Sequence, residues 1–271
     1  MPSLRRTPTR RRYVMVRPTY FDVERSTRAL TDSRDRPDHT RLVAQWESLR
    51  DLYTTLGHEV TELAPHPDLP DMVFTSSAAT VRDGKALVAR FEHPQRAAEA
   101  AVYLDWFRAH DYPDVRQALW INEGERDHVF AGLRLLTASG SWAGGRPSTE
   151  MHEFFDIEVV ELCLVDPRYH RLDTALTVLD ATTVMYYPPA FSAASRTTLT
   201  RLFPDAIATS PEDTTAHGLC AVSDGRHVVL PETAGSLFAD LLARGFEPIA
   251  ADASELTRAG GGIRACTLEL H

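Results

Sequence analysis

Cysteine is scarce in this chain of 271 residues: Cys163, Cys220 and Cys266 are odd in number and far apart. Such spacing builds neither a disulfide framework nor a metal-ligand set, and it suits a reducing cytoplasm. The 11 histidines fall into no HExxH-type pattern, so no metal is expected. Long apolar runs are missing too. No stretch approaches the roughly 20 residues that span a bilayer, and no apolar segment follows the basic start as in a secretory leader. Positive charge is in deficit, with 29 Lys and Arg against 38 Asp and Glu and a net charge of −9. These shortages exclude a general nucleic-acid surface and a membrane protein, and a cytoplasmic location is expected.

What is present is globular: 43% hydrophobic and 25% charged residues, in a chain long enough for a sizeable core. Arg5, Arg6, Arg10, Arg11 and Arg12 cluster at the start, and residues 1–11 are expected to form a basic flexible arm. Alternation predicts a strand over 12–16. Asp38 is placed to cap a helix whose apolar residues Leu42, Val43, Trp46, Leu49, Leu52, Tyr53 and Leu56 recur at three and four. Gly57 ends it, and a strand over 58–63 follows.

The pattern then repeats. Strands over 72–81 and 85–91 flank the turn Asp83-Gly84; a helix over 95–110 and a strand over 116–121 follow. Comparable sets occupy 128–165, 175–208 and 219–251, the last with its own Asp224-Gly225 turn. Strand, turn, strand, helix, strand therefore recurs five times at a period of about 45–50 residues, which argues for units stacked around an axis. The expectation is an α/β fold of five ββαβ units in a propeller-like fan, strands inside and helices outside. Residues 12–271 would form one domain. A doubly wound sheet is the competitor, and the tight turns count against it. The run Ile263–Leu270 alternates and reads as a strand closing the first unit. Before it, Gly260, Gly261 and Gly262 form a hinge that presents Ala265, with Cys266 beside it. The glycine-rich run 140–145 lacks the Gly-Lys-Ser/Thr ending of a phosphate-binding loop.

Five segments, in order, resemble one family: Pro18–Val23, Pro70–Thr75, Asn122–Asp127, Leu164–Leu176 and Gly260–Leu268. The chain resembles the guanidine-modifying superfamily of dimethylarginine dimethylaminohydrolases, arginine deiminases and amidinotransferases, whose pentein fold is a fan of five such units. The resemblance implies a cysteine thiolate that attacks the guanidinium carbon, a histidine that moves protons, acids that hold the guanidinium, and no cofactor. At the matching positions here, Ala265 replaces the cysteine, Arg171 the histidine and Ser77 a guanidinium-holding acid or asparagine, and Arg126 replaces a glycine. The segment after Val23 departs as well, with Arg28–Thr31 in place of the family's. Asp71, Glu123, Asp127 and Asp173 are kept.

An arginine cannot shuttle protons. The first expectation is a catalytically silent member that binds a small anionic or zwitterionic amino-acid-like ligand, or a protein partner, and could form a homo-oligomer. Arg126 and Arg171 favour an anion, and they are expected to pair with kept acids: Arg126 with Glu123 or Asp127, Arg171 with Asp173. A second expectation is rebuilt chemistry in the same pocket, with Cys266 as alternative nucleophile beside His170, or with Asp173 and Glu123 as acid and base. A third is a conventional hydrolase whose cysteine was removed by design. The ordinary reading of Cys266 is a small buried hydrophobe.

Overall fold

A computed structural model describes residues 6–26, 36–139 and 146–271. The segment 28–31 and the glycine-rich run 140–145 lie outside the described residues. In chain order the first strands are β1 (Arg12–Val16), β2 (Glu59–Leu63), β3 (Ala79–Arg82), β4 (Lys85–Val88), β5 (Asp114–Gln117), β6 (His128–Ala131), β7 (Arg134–Ser139) and β8 (Glu158–Cys163). The others are β9 (Leu176–Val178), β10 (Val184–Tyr186), β11 (Ile207–Ala208), β12 (Val222–Ser223), β13 (His227–Pro231), β14 (Glu247–Ala251) and β15 (Leu268–Glu269). The helices are α1 (His39–Thr55), α2 (Pro94–Ala97), α3 (Glu99–Ala109), α4 (Arg146–Phe155), α5 (Ala193–Leu202), α6 (Pro211–Thr215), α7 (Ser236–Ala243) and α8 (Ser254–Arg258).

These strands form five three-stranded sheets of one topology. In each, the middle strand runs antiparallel to one neighbour and parallel to the other. The antiparallel step needs only a tight turn. Asp83 and Gly84, at φ 50° and 78°, both take the left-handed conformation of a type I′ hairpin. A parallel neighbour is reached only by a crossover, and α1, α3, α4, α5 and α7 each supply one. The exception in order is the first sheet, whose antiparallel member is β15 from the far end of the chain. The chain is thus α/β, of the five-unit pentein type.

Two compact units divide these sheets. Arg10–Glu125 with Asp252–His271, the N/C unit, holds the sheets β15-β1-β2 and β3-β4-β5. Arg126–Ala251 with Met1–Thr9, the middle unit, holds the other three. Each has its own apolar core. In the N/C unit Val14, Met72, Val81, Val88, Tyr103, Phe107 and Leu268 pack together. In the middle unit Leu136, Leu162, Met185, Phe191, Leu199, Val228 and Phe246 do so. Helix α1 starts as expected: the Asp38 carboxylate accepts the Arg41 N–H at 3.0 Å, and Leu42, Trp46, Leu49 and Tyr53 turn inward.

Local details depart from the sequence pattern. The strand expected over 72–81 begins only at Ala79, after two 3-10 turns, Pro70–Val73 and Thr75–Ser77. The helix expected over 95–110 is broken at Ala98 into α2 and α3. Described residues of the expected arm are held in place. Arg6 lies 3.5 Å over the Phe246 ring, donates to the Arg244 carbonyl at 2.9 Å and pairs with Asp180, while Thr9 N–H donates to the Asp224 carbonyl at 2.8 Å. An arginine offered a ring face, a carbonyl and a carboxylate has reason to order.

Candidate functional site

The glycine hinge of the N/C unit leads into a 3-10 turn, Arg264–Cys266, not into an extended strand. The Thr267 N–H reaches the Arg264 carbonyl at 3.1 Å, and its hydroxyl donates to the Ile263 carbonyl at 2.9 Å. Only Leu268–Glu269 pair as β15. The expected strand is corrected by these local bonds. Successive side chains in a 3-10 turn are about 120° apart, and Ala265 and Cys266 are both buried. The Ala265 carbonyl accepts a bond from the Ser76 hydroxyl at 3.1 Å. A Cβ at Gly261 would lie 2.4 Å from the Phe74 ring and 3.2 Å from the Ala265 methyl, so the backbone there tolerates no side chain.

Cys266 is fully buried, close enough to Tyr53 to act on its hydroxyl, which burial holds well above the usual phenol range. Its sulfur is out of solvent reach, whereas His170 in the middle unit is exposed. The thiol takes the role of a small buried hydrophobe.

Asp71 and Glu123 belong to a buried cluster in the N/C unit. The Asp71 carboxylate accepts the Ser26 hydroxyl. Arg96, 1% exposed, grips Glu99 through two bonds of 2.9 and 2.8 Å. Its other contacts are the Asp71 carbonyl at 3.4 Å, the Glu123 carboxylate at 3.8 Å and the Phe91 ring at 4.4 Å. One guanidinium thus stands among three carboxylates, Glu99, Glu123 and Asp71. Burial is the first influence on Glu99 and raises it; Arg96 opposes that. Ser77 is buried, and its hydroxyl has no hydrogen-bond partner among the described residues. Glu123 is followed by a glycine that geometry demands. Gly124 has φ +51°, and a Cβ there would meet the Ala79 carbonyl oxygen at 2.5 Å and that of Ser76 at 2.8 Å.

The arginines of the middle unit are inward and paired, but with exchanged partners. Arg126 Nε donates to Asp173 at 2.6 Å, with both side chains 3% exposed. Arg171 Nη1 lies 3.0 Å from both oxygens of Asp127. The expected partners, Glu123 or Asp127 for Arg126 and Asp173 for Arg171, lie within three residues of them in the chain. Each arginine instead reaches across to the other segment. The result is a double clasp between residues 126–127 and 171–173. Both arginines are engaged within it, although Arg126 Nη1 is buried with no hydrogen-bond partner among the described residues. Beside it, burial drives the His128 imidazole down to about 4, and its Nδ1 faces the Thr137 hydroxyl at 2.9 Å. Burial pushes the Cys220 thiol up to about 12, with Asp173 adding to the rise. Among the described residues no group of three or more His, Cys, Asp or Glu could hold a metal ion, and no helix is long and apolar enough to cross a membrane.

No protein-family model matches the chain. A curated relative does: N(G),N(G)-dimethylarginine dimethylaminohydrolase of Mycobacterium tuberculosis is 43% identical over 267 residues, covering 98% of this chain and 88% of the relative. The chain belongs to the dimethylarginine dimethylaminohydrolase family. Solved structures agree with that assignment. The N-terminal domain of the cyanobacterial arginine dihydrolase ArgZ, an asparagine-to-serine variant covalently bound to a reaction intermediate, superposes with TM-score 0.89 at 26% identity, over 96% of this chain and 98% of that one. AgrE, a bifunctional arginine dihydrolase/ornithine cyclodeaminase of Nostoc, gives the same TM-score and identity in a cysteine-to-alanine variant complexed with L-arginine. This chain corresponds to 40% of the AgrE chain in that structure.

Sequence reasoning passed over Arg96, Glu125 and His128. The i,i+3 spacing of Arg96 and Glu99 reads as a surface helix pair, and only tertiary packing buries it. Glu125 lies in the segment Asn122–Asp127, but its partners Arg264 and Glu269 lie near the chain end.

Proposed function

We propose that this family member binds an arginine-like, zwitterionic amino acid and does not hydrolyse it. The observation that carries the reading is the reacting position itself. A buried alanine methyl stands where the resemblance places the nucleophile, and the neighbouring thiol, Cys266, is sealed in the core. Arg171, at the position of the proton-moving histidine, is bound to Asp127. The steps of thiolate attack and proton transfer therefore have no group to perform them.

Binding is a separate matter. Asp71 and Glu123 supply carboxylates of the kind that pair with a guanidinium or ammonium group, and Ser77 offers a buried hydroxyl. The AgrE variant supports the separation, since a relative whose cysteine is an alanine still forms a complex with L-arginine. Three free thiols, Cys163, Cys220 and Cys266, suit the cytoplasm for such a protein.

The test is calorimetric titration with L-arginine, asymmetric dimethylarginine and L-citrulline, beside a citrulline-release assay. Saturable binding without citrulline supports the reading. Citrulline release by the unaltered chain refutes it. Activity restored by Ala265→Cys alone would return the chain to the conventional hydrolases, whereas a requirement for Arg171→His as well would confirm that two parts of the machinery are gone.

A further inference from the structure

A second buried cluster in the N/C unit centres on Glu125. Glu125 is buried, and its Oε2 accepts two bonds from the C-terminal segment: Arg264 Nη2 at 3.0 Å and the Glu269 backbone N–H at 3.1 Å. Its Oε1 has no hydrogen-bond partner among the described residues; His271 Nε2 stands 3.8 Å away. The other ring nitrogen of His271, Nδ1, lies 3.5 Å from Glu269 Oε1, which Arg11 Nη1 meets at 2.9 Å. The order Arg264, Glu125, His271, Glu269, Arg11 is a chain of alternating partners. With a neutral imidazole its formal charges cancel, two carboxylates against two guanidinium groups. One further proton fits between Glu125 Oε1 and His271 Nε2.

We propose that Glu125, His271 and Glu269, held between Arg264 and Arg11, form a one-proton switch that sets how firmly the hinge carrying residue 265 is anchored. In the deprotonated state Glu125 holds Arg264 and the Glu269 N–H as a charged acceptor. In the protonated state Oε1–H donates to His271 Nε2, His271 Nδ1–H donates to Glu269, and the grip on Arg264 is that of a neutral group. The other groups facing the cluster are Tyr13, whose hydroxyl burial and Glu269 keep protonated, and Arg82, whose charge acts on His271. The Arg82 charge favours holding the extra proton on Glu125 and not on the imidazole, while Glu269 acts the other way on His271. Burial acts the same way as Arg82, pushing the Glu125 carboxyl up to about 8 and the His271 ring down. Because the folded state favours the protonated acid, stability falls as pH rises from the ordinary carboxylate range through that value.

The inference concerns the hinge and is read without ligand, so it stands or falls apart from the proposed function. The experiment is a carbon-13 titration of glutamate carboxyl groups in the full chain, with thermal unfolding from pH 6 to 9. The expected result is one Glu resonance titrating near neutral or mildly alkaline pH and a Tm that declines across it. Glu125→Gln, which keeps a carbonyl for Arg264 and Glu269, should remove the resonance and flatten the Tm profile. His271→Gln should shift the midpoint about threefold to tenfold in proton affinity, the worth of one neutral hydrogen bond. Should Glu125→Gln fail to fold, the wild-type titration and His271→Gln still decide. All Glu resonances titrating below pH 6, or a midpoint unmoved in His271→Gln, would overturn the switch.

Discussion

The double clasp of the middle unit yields the sharpest stability prediction. Arg126 and Asp173 are both about as buried as core leucines, with side chains 3% exposed. Arg126→Ala removes the guanidinium and leaves the Asp173 carboxylate in the interior without its ion partner. Breaking one side of a buried pair costs about 3–5 kcal/mol, most of it the penalty of the stranded charge. Arg171→Ala should cost less, on the order of 1–2 kcal/mol, because Asp127 is 17% exposed and recovers water. The double variant Arg126→Met with Asp173→Leu removes both charges and fills the space, so it should fall within about 1 kcal/mol of wild type. Urea unfolding of the four proteins measures these losses, with the midpoint compared at equal m-value. A loss below about 1 kcal/mol for Arg126→Ala, or a double variant as weak as the single, would refute the claim that the clasp is a buried, mutually dependent pair.

Other outcomes follow from single residues. His128 is held near 4 by burial, below its unfolded value of 6.5, so the unfolded chain takes up a proton that the folded chain refuses. Stability is complete above pH 6.5 and is lost as pH falls towards 4, by up to about 3 kcal/mol; in His128→Gln this part of the acid profile should vanish. Gly124→Ala must place a Cβ 2.5 Å from the Ala79 carbonyl at a positive φ, and a loss of about 2–4 kcal/mol is expected in thermal unfolding. Cys163 is exposed while Cys220 and Cys266 are buried, so a thiol reagent should modify one cysteine quickly and two only on unfolding, as mass spectrometry would show.

Much of this was legible in the sequence for identifiable reasons. Asp83-Gly84 marks a hairpin because its φ values suit few other pairs, and Asp38 marks a helix start because its carboxylate answers an orphan N–H. Local chemistry of that kind survives translation into three dimensions. The run after Ile263 did not, since its alternation imitates a strand while Thr267 closes a turn back onto Ile263 and Arg264. Partner choice was hidden as well. That Arg126 takes Asp173, and Arg171 takes Asp127, depends on which segments fold side by side, and chain proximity pointed the other way. Arg96 and Glu125 were hidden for the same reason, because a charged residue in a sequence shows its type and not its burial. The altered positions Ala265, Arg171 and Ser77 were legible only because the surrounding segments resemble the family so closely.

The separation of binding from catalysis is tested most directly by calorimetric titration of L-arginine into the unaltered protein, with citrulline assayed in the same cell afterwards. The account predicts saturable heat with a Kd between about 1 µM and 1 mM, the range of ordinary substrate affinities, and no citrulline above the protein-free control. Citrulline formed in proportion to protein concentration, or no binding heat at millimolar arginine, would contradict it.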